Sequence, residues 1–293
     1  MSVERKAQSP HSSSEIREQH RCVADKWLAE HGDGSLYVTK ALGAGGFSSC
    51  WLLWSASAEQ DNSFVALKII DRGSISKTKR DCVKREISIH KSLSHPNIVD
   101  FYRYTIHQEF VFIFMEYCRG GSLAQRIRKC PLEETELVSA TQQLLSALDY
   151  LHSQSILHRD VKPGNVLIAE TEPILVKLAD FGLSIRLNPN DPPKVSCGTP
   201  YYFSPEMVNG HSYGFPADIW SFGILLYAAS TGKVPFFEEN IDRQEILKRI
   251  SCQPIRYPKS MSRPLVSFLS KILCREPSAR VSLGELRKHK WIN

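Results

Sequence analysis

The chain has 293 residues, with 37 Lys and Arg against 31 Asp and Glu, so its net charge is +6. Such a mild, dispersed excess excludes a dedicated nucleic-acid binder, and 42% hydrophobic content suits one large domain or two modest lobes. None of the eight cysteines is spaced C-x-x-C, the polar start "MSVERKAQSPHSSSE" is no secretory leader, and the apolar run 219–230 is well short of the ~20 residues that span a bilayer, so a reducing, intracellular setting (cytoplasmic or nuclear) without a membrane span is expected.

Residues 1–14 are rich in Ser, Gln, His and charge and read as disordered. Residues 15–32 form a candidate helix with Ile16, Val23, Trp27 and Leu28 along one side and Gly32 as its stop, so 1–34 is an N-terminal extension, disordered or partly helical. Candidate strands follow at 35–42, 48–56 and 63–70, then the basic cluster 77–80 as a solvated turn. A helix over 79–93 is broken by "HPN", and further strands fit 99–106 and 109–117. From Gly120 the pattern turns helical. Residues 133–153 carry Leu137, Leu144, Leu148 and Leu151 on one stripe, and 217–231, 241–250, 265–274 and 283–290 also read as helices. A β-rich half before a helical half predicts an α+β architecture of two lobes, 35–118 and 119–293.

The string "LGAGGFSSCW", residues 42–51, is a glycine-rich loop with Ser48 at the third glycine place. A dinucleotide loop would open a helix at this point, whereas "FSSCWLLW" reads as a strand. Asp61 lies about twenty residues on, as that fingerprint asks, but in the polar turn "AEQDNS". Taken alone, the loop divides between phosphate binding and a plain hairpin turn.

Downstream residues decide. "VALK" puts Lys68 on an apolar strand, where its charge needs a partner or solvent, and Glu86 of "KREI" on the next helix could pair with it. Either alone is ordinary surface decoration. "HRDVKPGN", residues 158–165, supplies a carboxylate (Asp160), a cation (Lys162) and an amide oxygen (Asn165) in one compact loop. "DFG" follows the candidate strand "ILVKLA" and adds the carboxylate of Asp180. Phosphoryl transfer requires such a set: a group that orients and deprotonates the attacking hydroxyl, a cation near the transferred phosphate, and oxygen ligands for Mg²⁺.

Together with "GTPYYFSPE", "DIWSFG" and Arg280 of "EPSARVS", these motifs resemble the catalytic domain of eukaryotic protein serine/threonine kinases, from about residue 37 to 291. The resemblance implies a two-lobed fold, a five-stranded antiparallel N-lobe with one helix and a mainly helical C-lobe, with Mg²⁺ and ATP in the cleft and protein serine or threonine hydroxyls as acceptors. It implies nucleotide contacts at Leu42, Gly43, Ala44, Gly45, Gly46, Phe47, Ser48, Cys50, Ala66, Lys68, Met115, Glu116, Cys118 and Leu167. Catalytic roles fall to Asp160 as base, to Lys162 at the γ-phosphate, and to the Lys68–Glu86 pair; Asn165 and Asp180 would hold metal. Glu206 would pair with Arg280, Asp218 would brace the catalytic loop, and His158 and Phe181 would stack in a spine joining the lobes. The alternative from another class is a catalytically silent nucleotide-binding scaffold, although no catalytic motif is missing.

Lys162 with Thr199 implies serine/threonine rather than tyrosine acceptors, and Phe203 stands where proline-directed kinases carry arginine. Ser122, Gly164 and Ala228 occupy places that are acidic in kinases selecting upstream arginine, so that preference is not expected. In the activation segment Val195 takes the usual acceptor place, leaving Ser196 as the candidate phosphosite; Arg159 would meet its phosphate or an acidic neighbour. An activating kinase or regulatory partner fits such a segment. "EISIHKSLSHPNIV", "EFVFIFMEYCRGGSL" and Cys50 are locally similar to Polo-like kinases, while "GTPYYFSPE" and "HRDVKPGN" lean toward NIMA-related and calmodulin-dependent-like kinases. Polo-like kinases carry a C-terminal phosphopeptide-binding region that these residues do not include, so either more chain follows or the subfamily differs.

Overall fold

The computed structural model describes residues 13–31, 34–45, 47–56, 64–238 and 241–293. Gly32, Gly46, Asp61 and the first twelve residues, on which several expectations fall, lie outside them. The described residues separate into two compact units. The first runs to Ile87 and includes Asp100–Tyr117; the second joins Ser88–Val99 to Cys118–Asn293.

The first unit is built on a five-stranded antiparallel sheet of order β1-β2-β3-β5-β4. Its strands are β1 (Leu36–Ala44), β2 (Ser48–Ser55), β3 (Phe64–Asp71), β4 (Phe101–His107) and β5 (Phe110–Glu116). Strand alternation sorts apolar residues onto two faces. Ile70, Val111 and Ile113 pack with Ile87 of helix α2 (Lys77–Lys91). Trp51, Leu53, Leu67, Ile69, Phe110, Phe112 and Phe114 pack with Ala24, Trp27 and Leu28 of helix α1 (Ser13–His31). A second helix thus joins the one expected beside the sheet. The basic cluster 77–80 is the first turn of α2, and Lys79 Nζ sits 3.5 Å over the Phe47 ring.

Residues 88–99 belong to the second unit because Ile89, Leu93 and Ile98 enter its core. Backbone bonds from Val99 N to Leu178 O (3.0 Å) and from Leu178 N to Asn97 O (2.8 Å) fasten them there. The helices of this unit are α3 (Leu123–Lys129), α4 (Glu134–Ser153), α5 (Pro205–Val208), α6 (Phe215–Thr231), α7 (Arg243–Cys252), α8 (Arg263–Ile272) and α9 (Leu283–Leu286). Helix α4 buries the expected leucine stripe, and α6 is buried almost all round, with Trp220, Phe222 and Leu225 inaccessible. Gly232 at φ 75° ends α6 in the left-handed region that glycine tolerates. The helix expected at 283–290 is a single turn, capped by Ser282 and Glu285. No described helix is long and apolar enough to cross a membrane.

Two small two-stranded sheets, β6 (Ile156–Leu157) with β9 (Ile185–Arg186) and the hairpin of β7 (Val166–Thr171) with β8 (Ile174–Leu178), interrupt the helical half. They matter most for function. The loop 158–165 is strung between β6 and β7, and Asp180 follows β8 by two residues.

Candidate active site

The predicted residues fall into two groups, one in each unit. In the first unit β2 and β3 bring Cys50 opposite Lys68, and β3 and β5 bring Ala66 opposite Met115 and Val65 opposite Glu116. Lys68 Nζ donates to Glu86 Oε1 at 2.6 Å, with both side chains largely buried (14% and 8% exposed), so the ammonium has the carboxylate that its strand environment demands. The glycine-rich segment turns between β1 and β2, and Gly45 N bonds Ser48 O at 2.7 Å, as a hairpin tip requires. Leu42 and Phe47 are exposed there, while Gly43 and Ala44 lie in β1.

In the second unit a short 3₁₀ turn, Pro163–Asn165, folds the catalytic-loop motif back on itself. Asp160 Oδ2 accepts from Lys162 Nζ at 2.7 Å and from Asn165 Nδ2 at 2.9 Å. Its Oδ1 accepts from Thr199 N at 3.2 Å, and Lys162 Nζ also donates to Thr199 Oγ1 at 2.8 Å. One carboxylate is therefore aimed by a lysine, an amide and a threonine from 39 residues away. Gly198 permits this approach. Its φ is +105°, and a Cβ there would stand 2.8 Å from Arg159 O and 3.0 Å from Asp160 Oδ1.

Asp218, at the start of α6, holds the loop from below. Its Oδ2 accepts from His158 N at 2.8 Å and from His152 Nε2 at 3.0 Å, and its Oδ1 accepts from Arg159 N at 2.9 Å. Burial alone would raise the carboxyl's pKa, but the bonds and charge of His152, with those of His158, hold it below the ordinary carboxylate value. Asn165 O accepts from Ala179 N at 2.8 Å, which ties the loop to the segment leading to Asp180. Leu167 bridges to Ser122, and Cys118 is buried at 4% exposure. His158 meets Phe181 edge-on at 5.3 Å instead of stacking, and His90 supplies a closer partner at 4.8 Å.

The Arg159 guanidinium bonds a carbonyl and a phenol. Its Nε donates to Leu183 O at 2.6 Å and its Nη1 to Tyr213 Oη at 3.4 Å. Ser196 Oγ donates to Met207 O at 2.6 Å. Tyr213, His152 and His90 escape sequence reasoning because each touches the motifs from far along the chain, without a local pattern. Glu206 and Arg280 pair as expected, at 2.9 and 3.1 Å.

The family model for the protein kinase domain matches residues 36–292. The chain is 35% identical over 255 residues to the serine/threonine-protein kinase PLK2 of Mus musculus, covering 86% of this chain and 36% of that protein. It is 34% identical over 257 residues to CBL-interacting protein kinase 5 of Oryza sativa subsp. japonica, covering 86% and 54%. It is 35% identical over 270 residues to the carbon catabolite-derepressing protein kinase of Secale cereale, covering 89% and 52%. The chain thus spans about a third to a half of these relatives' lengths.

Proposed function

This chain belongs to the protein kinase family, and from that premise we propose that it is a protein serine/threonine kinase, transferring the γ-phosphoryl group of ATP to serine and threonine hydroxyls of protein substrates. The observation that carries the reading is the hold on Asp160, whose carboxylate is met at once by Lys162, Asn165 and Thr199. A base that must orient an incoming hydroxyl gains from such preorganisation, because no reorganisation is then needed in the transition state.

Each residue has a definite task. Asp160 orients the acceptor hydroxyl and takes its proton, and Lys162 offsets charge on the transferred group. Thr199, bonded to both, suits a loop that receives serine or threonine. In the first unit the Lys68 ammonium, steadied by Glu86, would hold the nucleotide's phosphates, and backbone amides of residues 43–48 would cover them. Cys50, Ala66, Met115, Glu116, Cys118 and Leu167 would contact the adenosine portion.

The donor set suits Mg²⁺. Asn165 directs its amide N–H groups at Asp160, which turns its carbonyl oxygen away from those bonds, and Asp180 adds carboxylate oxygens. When bound, the ion would neutralise phosphate charge, with Asn165 and Asp180 as its protein ligands.

The test is phosphate incorporation into a generic protein substrate with Mg²⁺-ATP, comparing wild type with Asp160→Asn. Incorporation that falls by at least a hundredfold in the variant is expected. Equal incorporation in both removes Asp160 from catalysis, and none in wild type leaves the nucleotide-binding scaffold as the better reading.

A further inference from the structure

Helix α1 precedes residues 36–292, the stretch matched by the family model, yet it is an integral part of the first unit. Ala24, Trp27 and Leu28 are buried against the sheet, and Trp27 stacks on Phe112 at 5.2 Å. One polar residue lies on the same stripe. His20 is 1% exposed, sits edge-on to Phe110 at 5.7 Å, and has Nδ1 2.8 Å from Ser49 Oγ. Ser49 is also 1% exposed, and its Oγ accepts from Trp51 Nε1 at 2.7 Å.

This three-residue link is placed where it matters. Ser49 is the second residue of β2, immediately beyond the glycine-rich turn, and its register partner across that turn is Ala44. Its neighbour Cys50 pairs with Gly43 on one side and with Lys68 on the other. Because strand side chains alternate, a hold on Ser49 from the α1 face fixes the positions at which Cys50 and Lys68 emerge on the opposite face. A neutral imidazole can accept the Ser49 proton at Nδ1 while Trp51 donates to the same oxygen, so the buried hydroxyl both donates and accepts and the indole N–H has its acceptor. Without His20, one partner of a buried hydroxyl is lost at the end of β2 that carries the turn.

We propose that His20 is a positioning residue for ATP, acting through Ser49 to preorganise the glycine-rich turn and the strand pair that carries Lys68. The inference rests on the kinase reading above and adds to it a determinant outside the matched domain. Its signature is a change in nucleotide affinity without a change in the chemical step.

The experiment measures KM for ATP, kcat, KM for a peptide substrate, and Kd for a fluorescent ATP analogue in the full chain. His20→Ala is expected to raise KM and Kd for the nucleotide about fivefold, a scale set by the loss of one buried hydrogen bond, with kcat and peptide KM within twofold. His20→Asn, whose amide can reach the Nδ1 position, should restore most of the affinity. Ser49→Ala should match His20→Ala, and the double variant should be no worse than either single one. Leu28→Ala controls for general loosening of α1: it should lower Tm and leave nucleotide affinity unchanged. Wild-type nucleotide affinity in His20→Ala overturns the inference alone, as does a Leu28→Ala variant that loses as much affinity. A wild type that binds no nucleotide overturns the kinase reading and the inference together.

Discussion

The Tyr213 hydroxyl accepts from Arg159 Nη1 at 3.4 Å and donates to Val195 O at 2.9 Å, so one phenol links the loop that carries Asp160 to the segment that carries Ser196. Tyr213 N also bonds Pro193 O at 3.0 Å, and the ring is buried in a cluster with Leu157, Phe203 and Met207. Tyr213 therefore holds the segment at Pro193 and Val195, and beside them the Ser196 hydroxyl donates to Met207 O. Active enzyme should carry no phosphate at Ser196 by intact mass, and Ser196→Ala should keep activity within about threefold. Tyr213→Phe, which removes a bond to a charged group normally worth about 1.5–3 kcal/mol, should lower kcat/KM roughly tenfold. Activity that depends on Ser196 phosphorylation would sink this view.

Lys68 and Glu86 form a largely buried pair, so removing one charge strands the other. Lys68→Met should destabilise the first unit by about 3–5 kcal/mol as well as abolish transfer. The double variant Lys68→Met/Glu86→Leu should regain most of that stability, since two apolar side chains replace two desolvated charges. It should remain inactive. Denaturation midpoints and incorporation assays on the three proteins separate the structural role from the chemical one; a double variant with restored activity would exclude a phosphate-binding lysine.

How far the sequence reaches depends on whether a contact is local. "HRDVKPGN" and "DFG" are contiguous strings, and their geometry follows from short turns, as in Pro163–Asn165. The amphipathic stripe of α1 was also readable through Ile16, Trp27 and Leu28, although its polar member His20 was not, because nothing near it announces Ser49. Helix α3 carries a start signal, Ser122 with Gln125 at capping-box spacing, but seven residues are too few for periodicity to distinguish. Strand β8 was readable as the apolar run "ILVKLA", but β6, β7 and β9 were not, because runs so short look the same in helix or strand. Arg159 illustrates the limit best. Nothing near it in the sequence announces Tyr213, 54 residues on, whose hydroxyl accepts from its Nη1.

Acid should weaken the second unit through Asp218. Its folded-state pKa lies below the ordinary value of about 3.9, so the unfolded state binds a proton first as pH falls. The stabilisation is fully present above about pH 4 and is lost as pH drops through the folded pKa. The charged or titratable partners facing the carboxylate are His152 from α4 and His158 from the loop, with Arg159 contributing its amide. Asp218→Asn should lower Tm at neutral pH and flatten the acid limb of the Tm-against-pH curve. A limb of unchanged steepness would assign acid lability to other carboxylates.

Arg280 tests whether a cation or a shape is required. All five of its N–H donors are engaged: Nε on Cys274 O at 3.1 Å, Nη1 on Glu206 Oε1 at 2.9 Å and Pro216 O at 2.5 Å, and Nη2 on Glu206 Oε2 at 3.1 Å and Arg275 O at 3.4 Å. The guanidinium is fully buried and lies 5.3 Å from the Trp220 ring. Lysine brings one point charge and three donors from a single atom, so it cannot meet carbonyls and a bidentate carboxylate on several sides. Arg280→Lys should therefore cost nearly as much as Arg280→Met, about 3–5 kcal/mol, or roughly 10 °C in Tm for a unit of this size. If Coulomb attraction to Glu206 were the main contribution, the lysine variant would retain most of the stability instead. Thermal unfolding of the two variants side by side decides between them.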